Sequence, residues 1–346
     1  MKEEPFDYWE FFLVETQRSR APLYEALTRG VAKDEELKDL AQSVRSGQPP
    51  ANVLYAAVHY LLLRGNDHEL RRLYPNLNDE NRSNYMDQAF PLFRDFVTKN
   101  RREIASLVRS RVTNTNEVGR SALLHAGFQI LARETGNPLH LIELGPSAGL
   151  NLIWDRYRIE YRRKAETIVS GPAGASLTIE TELRGAGKPV CGASPQIASR
   201  LGLERNPVDL TSAEERDWLK ALVWPDHVSR FAKLERALEI ASAVTLPIRS
   251  GDALELLPEA LGEVPSREPV CVYHSFVTYQ FSESQRSALD EFLIAASLRR
   301  PVWRLALEGS LSGDAPLILY RYDDGKRTKR LLAQCQSHGA WIAWLT

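Results

Sequence analysis

LHLIELGPSAGLN, Leu139 to Asn151, is the stretch on which the fold of this chain turns. Leu139 to Leu144 is an apolar run that reads as a buried strand, with a carboxylate, Glu143, near its carboxyl end. Gly145 and Gly149 let the backbone turn tightly and approach a ligand closely. Gly149 to Tyr157 then reads as the start of a helix, whose free N–H groups and positive potential suit a carboxylate or phosphate. Strand, glycine turn and helix in this order form the opening unit of a nucleotide-binding α/β domain.

Beyond this unit the sequence alternates. Ser176 to Leu183 alternates like a strand, and Ala213 to Ala243 is helical with an interruption at Trp224-Pro225-Asp226. Val270 to His274 is a short buried strand, Gln285 to Leu298 a helix and Val302 to Leu307 another strand. Leu317 to Tyr322 and Lys329 to Gln334 flank DDGKRT, a hairpin signal, and Trp341 to Leu345 reads as a last strand. The alternation implies an α/β fold, Rossmann-like, with a mostly parallel sheet covered on both faces and a C-terminal antiparallel hairpin. Residues 1–115 read as helical: Phe6 to Arg20, Leu23 to Leu27, Glu35 to Val44, then the stop Gly47-Gln48-Pro49-Pro50, the apolar helix Asn52 to Leu63, and Ala89 to Arg111. The expected organisation is a helical cap region over 1–115 and an α/β domain over 116–346. The latter carries a hairpin inserted around 156–193, built from Tyr157 to Arg162 and Ser176 to Leu183.

Composition bounds the function. The chain has 346 residues, 43% of them hydrophobic and 26% charged, and a formal net charge of -1. This is the balance of a globular protein and not that of a general nucleic-acid binder. Arg101, Arg102, Arg109 and Arg111 read as a solvated helix face. The three cysteines, Cys191, Cys271 and Cys335, form no CxxC pair, and the seven histidines include no HxxxH or HExxH. No metal site is expected, and the cysteine pattern fits a reducing compartment. The start MKEEPFDYWEFF is acidic and aromatic, unlike a signal peptide, and the longest apolar stretch, Val53 to Leu63, is too short to span a bilayer. The expectation is a cytoplasmic protein with a small-molecule substrate and no membrane partner.

Glu143, Gly145, Ser147 and Gly149 together resemble the first motif of S-adenosylmethionine (SAM)-dependent methyltransferases, acidic-x-Gly-x-Gly-x-Gly, with Ser147 at the middle glycine. The resemblance implies SAM as cofactor, bound along Glu143, Gly145, Ser147, Gly149 and Asn151. A nucleotide site also needs an acid at the end of the next strand for the ribose hydroxyls. Glu204 in RLGLERNPVDL, residues 200–210, fits if an insertion precedes it, whereas Glu180 or Glu182 fits without one. In LPIRSGDALELLPEAL, residues 246–261, Asp252 matches the third acid, which in methyltransferases often bonds the adenine amino group. VCVYHSFVTYQF, residues 270–281, brings His274 to a strand end. There it is either a general base for the methyl acceptor or a backbone-bonded structural histidine. Tyr279 and Trp154 either stack on a substrate or pack. Asn116, Glu117 and Arg120 in TNTNEVGR are candidate lid contacts or a capped helix start.

Two other functions compete. Gly145-Pro146-Ser147-Ala148-Gly149 also spells G-x-S-x-G, the nucleophile elbow of α/β-hydrolases, with Ser147 as nucleophile and His338 or His274 as base. The helical region upstream, the lack of an HGGG-like segment and the charge of Glu143 beside the serine count against it. The third reading is a non-catalytic nucleotide-binding or interaction protein of methyltransferase fold. As a set, TNTNEVGR, ELGPSAGLNLIWDRY, GLERNPVDL, WLKALVWPD, GDALELLP and VYHSFVTYQ resemble a bacterial family, the domain of unknown function numbered 2332, over residues 5–345. That resemblance implies a Rossmann-like, methyltransferase-related fold and supplies no reaction. The leading expectation is methyl transfer from SAM to a small molecule.

Overall fold

The computed structural model describes residues 7–78, 86–190, 192, 195–309 and 313–345, so Cys191 lies outside the described residues. The chain divides into two compact units. One comprises Met1–Thr115 with Thr211–Glu235, the other Asn116–Leu210 with Arg236–Thr346.

The first unit is helical: α1 (Tyr8–Arg18), α2 (Pro22–Val31), α3 (Glu35–Gln42), α4 (Pro50–Leu63), α5 (Ala89–Lys99) and α6 (Arg101–Ser110). Local chemistry starts these helices. Asp7 caps α1 by accepting from Trp9 N at 2.8 Å, Asp34 caps α3 through Leu37 N at 3.1 Å, and prolines open α2 and α4. α4 is buried on nearly all sides, which explains why its sequence is apolar without a polar face. Its His59 sits between Ala221 O at 3.0 Å and Asn76 Nδ2 at 2.9 Å, and burial lowers its pKa to about 4, so it is a neutral core residue.

Two expectations change here. The helix expected over Ala89 to Arg111 is broken at Asn100, whose backbone (φ -110°, ψ 20°) leaves the helical region while its side chain bonds Phe96 O at 2.9 Å. Thr211–Glu235, assigned from sequence to the α/β part, belongs to the helical unit. Trp218, Ala221 and Leu222 join the same apolar cluster as α4, and Trp224 packs on Phe12 and Tyr24 at 5.5 and 5.4 Å between ring centres. Asp226 accepts from Leu23 N at 3.2 Å, at the start of α2.

The second unit opens with α7 (Arg120–Thr135) and β1 (Leu139–Leu144). It continues with β2 (Arg158–Arg163), β3 (Glu166–Ser170), β4 (Thr178–Arg184) and β5 (Ile197–Glu204). After α8 (Ala213–Ala221), which belongs to the first unit, and α9 (Val228–Ser242), whose residues from Arg236 on belong to the second, come β6 (Ile248–Ser250), α10 (Ala253–Glu263), β7 (Val270–Ser275), α11 (Glu283–Ser297), β8 (Val302–Leu307), β9 (Asp314–Asp323), β10 (Lys326–Gln336) and β11 (Trp341–Trp344). The strands form one 11-stranded sheet in the order β3-β2-β4-β11-β10-β9-β8-β7-β1-β5-β6. It is a mixed α/β arrangement, mostly parallel, with antiparallel pairing among β8, β9, β10 and β11. From β1 the parallel strands run to β5 and β6 on one side, and to β7 and β8 on the other. The order therefore reverses beside β1, where open parallel sheets leave a crevice outside their carboxyl ends.

The expected insertion exists, but its hairpin is different. β2 pairs antiparallel with β3, through a turn in which Lys164 is left-handed (φ 51°), and β4 returns to pair in parallel with β2. No Asn-Gly or Gly marks that turn, which is why the sequence pointed to the more distant partner.

Side-chain parity divides the sheet. Glu143, Tyr273 and Leu305 are in register and face α7, where Phe128 stacks on Trp154 (4.9 Å between ring centres) and meets Tyr273 edge-on (5.1 Å). Ile142, Leu144, Val270 and Val272 face α10 and α11 and share a core with Leu257, Leu289 and Leu293. Among the described residues no helix is long and apolar enough to cross a membrane. Phe128→Ala should remove the shared contact of Trp154 and Tyr273 and cost about 3–5 kcal/mol in a denaturant titration; a loss below about 1 kcal/mol would mean that this face is not tightly packed.

Candidate functional site

The turn after β1 is left-handed at three positions: Gly145 (φ 66°), Ser147 (φ 56°) and Gly149 (φ 77°). A Cβ on Gly145 would lie 2.7 Å from the Val277 side chain, and one on Gly149 3.0 Å from Ile248, so packing as well as backbone conformation selects glycine. Ser147 takes the left-handed conformation as a non-glycine residue. Its amide donates to Glu204 Oε2 at 2.8 Å and its carbonyl accepts from Val208 N at 3.3 Å, which hold it there.

The structure separates the acidic candidates. Gly202 is in register with Glu143, so Glu204, two residues on, points to the same face as Glu143 at the end of the neighbouring strand. Glu204 Oε1 also accepts from Asn206 N at 3.0 Å. Glu180 and Glu182 lie on β4, across six sheet positions from β1, in ion pairs with Arg162 (2.7 Å) and Arg184 (2.8 Å). Asp252 follows β6, caps α10 through Leu254 N at 2.9 Å and pairs with Arg205. Partial burial raises its pKa, but the bonds from Arg205 and Leu254 N outweigh that and hold it below the usual carboxylate range.

Glu143 is the most perturbed of these acids. It is 1% exposed, and burial pushes its pKa up to about 8, against the opposing effect of the 3.0 Å bond from Tyr273 Oη. The Glu204 carboxylate nearby adds to the rise. At neutral pH Glu143 therefore holds its proton.

The helix expected over Gly149 to Tyr157 is instead a 3-10 segment, Leu150–Arg156, kinked at Ile153 (φ -109°, ψ 27°). Several turn amides are already bonded: Gly145 N to Leu203 O (2.9 Å), Ser147 N to Glu204, Gly149 N to Pro146 O (2.8 Å) and Leu150 N to Asn116 Oδ1 (2.9 Å). An anion site at a helix N-terminus needs aligned and free N–H groups, and these four are taken.

Asn116, Glu117 and Arg120 clamp the turn. Asn151 is 1% exposed, with its Oδ1 accepting from Ser121 Oγ at 2.6 Å and its Nδ2 donating to Glu117 O at 3.4 Å. Glu117 Oε2 lies 3.2 Å from His338 Nδ1, on the connection between β10 and β11. Arg120 donates to Ser337 O at 3.0 Å and Ser275 O at 3.3 Å, and its guanidinium lies 4.3 Å from the centre of the Phe276 ring. These residues hold the turn to the end of β7; Asn151 is part of that frame. Tyr279 is 62% exposed beside Phe276, while Trp154 is buried in the core.

A bacterial family, described as "Uncharacterized protein conserved in bacteria (DUF2332)", matches residues 12–344. The chain belongs to this family. No curated protein and no solved structure matches it.

In this DUF2332 chain His274 does not join the acidic group. Its neighbour Tyr273 meets Glu143, so by strand alternation His274 points to the opposite, α11 face. There its Nδ1 lies 2.6 Å from Glu308 Oε1, which also accepts from Val277 N (2.9 Å) and Thr278 N (3.1 Å). The expectation of a base facing the crevice is corrected by this parity. Sequence reasoning missed Tyr273 and Glu308. A tyrosine buried at a strand end must place its hydroxyl on a partner, which was a usable signal for Tyr273; nothing local marked Glu308.

The raised pKa of Glu143 makes a prediction about stability. The folded protein binds this proton up to about pH 8, while the unfolded chain releases it near the ordinary 4.5. Stability is therefore lost as pH rises between those values and levels off above about 8. Glu143→Gln should stabilise the protein by an amount that grows over this window and reaches the order of a few kcal/mol at its top. Denaturant titrations of both proteins across the window test this. A variant that is less stable at the alkaline end would show that the carboxylate is charged and well solvated.

Proposed function

We propose that the carboxyl edge of β1, β5 and β6 binds SAM and that the protein transfers its methyl group to a small molecule. The observation that carries the reading is the alignment of three acids with the left-handed turn. Glu143 and Glu204 share one face at the ends of adjacent parallel strands, and Asp252 follows the third. They lie beside the reversal of strand order, where a nucleotide crevice forms.

The donor set fits the parts of such a molecule. Glu143, buried and protonated, can give up its proton to become the partner of an ammonium group. Glu204 retains acceptor capacity for ribose hydroxyls, since each carboxylate oxygen offers two lone pairs. Asp252 is held by an exposed arginine, Arg205, which can move aside for an adenine amino group. The bonded turn amides leave the carboxylate end to other donors. SAM, when bound, supplies a methyl on a sulfonium that an acceptor attacks in line. The chain's own part is alignment: the clamp of Asn116, Glu117 and Arg120 fixes the turn, and exposed Tyr279 offers a ring at the rim for an acceptor to stack on.

Isothermal titration calorimetry with SAM and S-adenosylhomocysteine tests the reading. Both should bind. Heats measured at pH 7 in buffers of different ionisation enthalpy should report release of about one proton, lost in Glu143→Gln. Glu204→Ala and Asp252→Ala should each weaken binding by roughly tenfold or more, the loss of a charge-assisted hydrogen bond. No heat from either compound at ~1 mM removes the proposal.

Ser147 supports a second reading, since a left-handed non-glycine residue between strand and helical turn is the backbone of a nucleophile elbow. Glu204 opposes it by placing a carboxylate on the Ser147 amide, beside the position where an oxyanion would develop. Labelling by a fluorophosphonate that disappears in Ser147→Ala would favour the hydrolase over methyl transfer.

A further inference from the structure

The amino edge of the sheet, at the other ends of the strands from the proposed crevice, holds a separate polar cluster. His140, the second residue of β1, is in register with Ser199 of β5. Its Nδ1 lies 2.6 Å from Ser199 Oγ, and its Nε2 lies 2.6 Å from Glu268 Oε2, on the connection between α10 and β7. A hydroxyl, an imidazole and a carboxylate thus stand in line. A constellation of nucleophile, base and orienting acid is recognised by geometry and roles, not by place in the sequence.

Burial sorts those roles. His140 is 7% exposed, whereas Ser199 and Glu268 are exposed residues. The hydroxyl is open to a substrate, while the imidazole behind it is held from both sides. With the Glu268 carboxylate at Nε2, the proton of a neutral imidazole belongs on Nε2, and Nδ1 keeps the lone pair that accepts from Ser199 Oγ.

The backbone adds two features. Leu139 pairs with Ile197 but His140 with Ser199, so β5 carries one extra residue, Ala198, just before the serine. Such a bulge re-aims the side chain beside it and is over-represented next to active sites. β6 pairs with β5 only over Gly202 to Glu204, which leaves the outer edge of β5 without a strand before Gly202. Gly202 N points to that edge and donates to Pro247 O at 2.8 Å; by alternation Arg200 N points the same way, and it has no hydrogen bond among the described residues. In α/β-hydrolases the amide of the residue after the nucleophile is one of the oxyanion donors.

We propose that Ser199, His140 and Glu268 form a second reaction centre, which hydrolyses small activated esters through an acyl-Ser199 intermediate. As Ser199 Oγ bonds to the carbonyl carbon, its proton passes to His140 Nδ1 and the carbonyl electron pair moves onto the oxygen, which faces Arg200 N. The oxyanion then collapses, the bond to the leaving alcohol breaks, and the alcohol takes the proton from Nδ1. Water attacks the acyl carbon and gives a proton to Nδ1; the bond to Ser199 Oγ breaks, and Oγ takes that proton back. The sum is ester plus water to acid plus alcohol. Ser199 and His140 touch the reacting atoms, and Glu268 is their positioning residue. Its side chain is 48% exposed, so water screens its attraction for the imidazolium. The centre therefore suits esters whose alcohol leaves readily, such as aryl esters, rather than amides.

Hydrolysis of p-nitrophenyl acetate and phenyl acetate, with mass-spectrometric mapping of a fluorophosphonate label, tests it. Hydrolysis should saturate, and the label should sit on Ser199. Ser199→Ala, at an exposed position that does not threaten folding, should abolish both. Glu268→Gln should lower kcat roughly a hundredfold or more with KM little changed, and Glu268→Asp should recover part of the loss. Ser147→Ala should keep the Ser199 label, and Ser199→Ala should leave SAM titrations as they are in the parent, which separates this centre from both readings of the β1 turn. The proposal is overturned if the label falls elsewhere or nowhere, if Ser199→Ala hydrolyses the esters as fast as the parent, or if Glu268→Gln keeps full kcat.

Discussion

The bond from the Ser147 amide to the Glu204 carboxylate is the contact on which the carboxyl edge of the sheet depends. The turn it holds enters the left-handed region three times. A buried turn of that shape cannot pair its own amides in a ladder, and each amide left unpaired costs about 1–3 kcal/mol. Glu204 supplies an acceptor from a strand 57 residues away. It can do so because β5 lies directly beside β1 and in parallel register with it. Asn116 does the same for Leu150 from the other side. The turn is thus built by its neighbours, among them one of the acids of the proposed SAM site.

Glu143 shows the tension this creates. The protein buries a carboxyl under the turn with one tyrosine hydroxyl for company, and meets the desolvation cost by keeping it protonated. Such a group adds nothing to stability at neutral pH that a glutamine would not add more cheaply. Strongly perturbed acids are concentrated at functional sites in proteins generally.

The sheet also keeps two chemistries apart. Tyr273 and His274 are adjacent in sequence, yet one bonds Glu143 and the other joins Glu308 beneath α11. The period-two alternation of a strand makes this separation without any insertion or loop.

Much of the architecture was determined by the sequence alone. The apolar runs at Leu139–Leu144, Val270–His274 and Val302–Leu307 read as buried strands. DDGKRT is a hairpin signal, and helices between strands imply parallel pairing; these are local signals of hydrophobicity and turn chemistry. The presence of Glu143, Glu204 and Asp252 near strand ends was legible for the same reason. Tertiary structure decided the rest. Whether Glu204 or Glu180 stands beside Glu143 depends on sheet order, which joins β5 to β1 and sends β4 to the far flank. Which helix Thr211–Glu235 packs against depends on where Trp218 and Trp224 find an apolar partner. The side of the sheet on which His274 lies depends on the register of β7 against β1, since one residue of slip would exchange Tyr273 for His274 at Glu143. A strand's pattern tells that its side chains alternate; only its neighbours in the folded sheet fix which of them meets which partner.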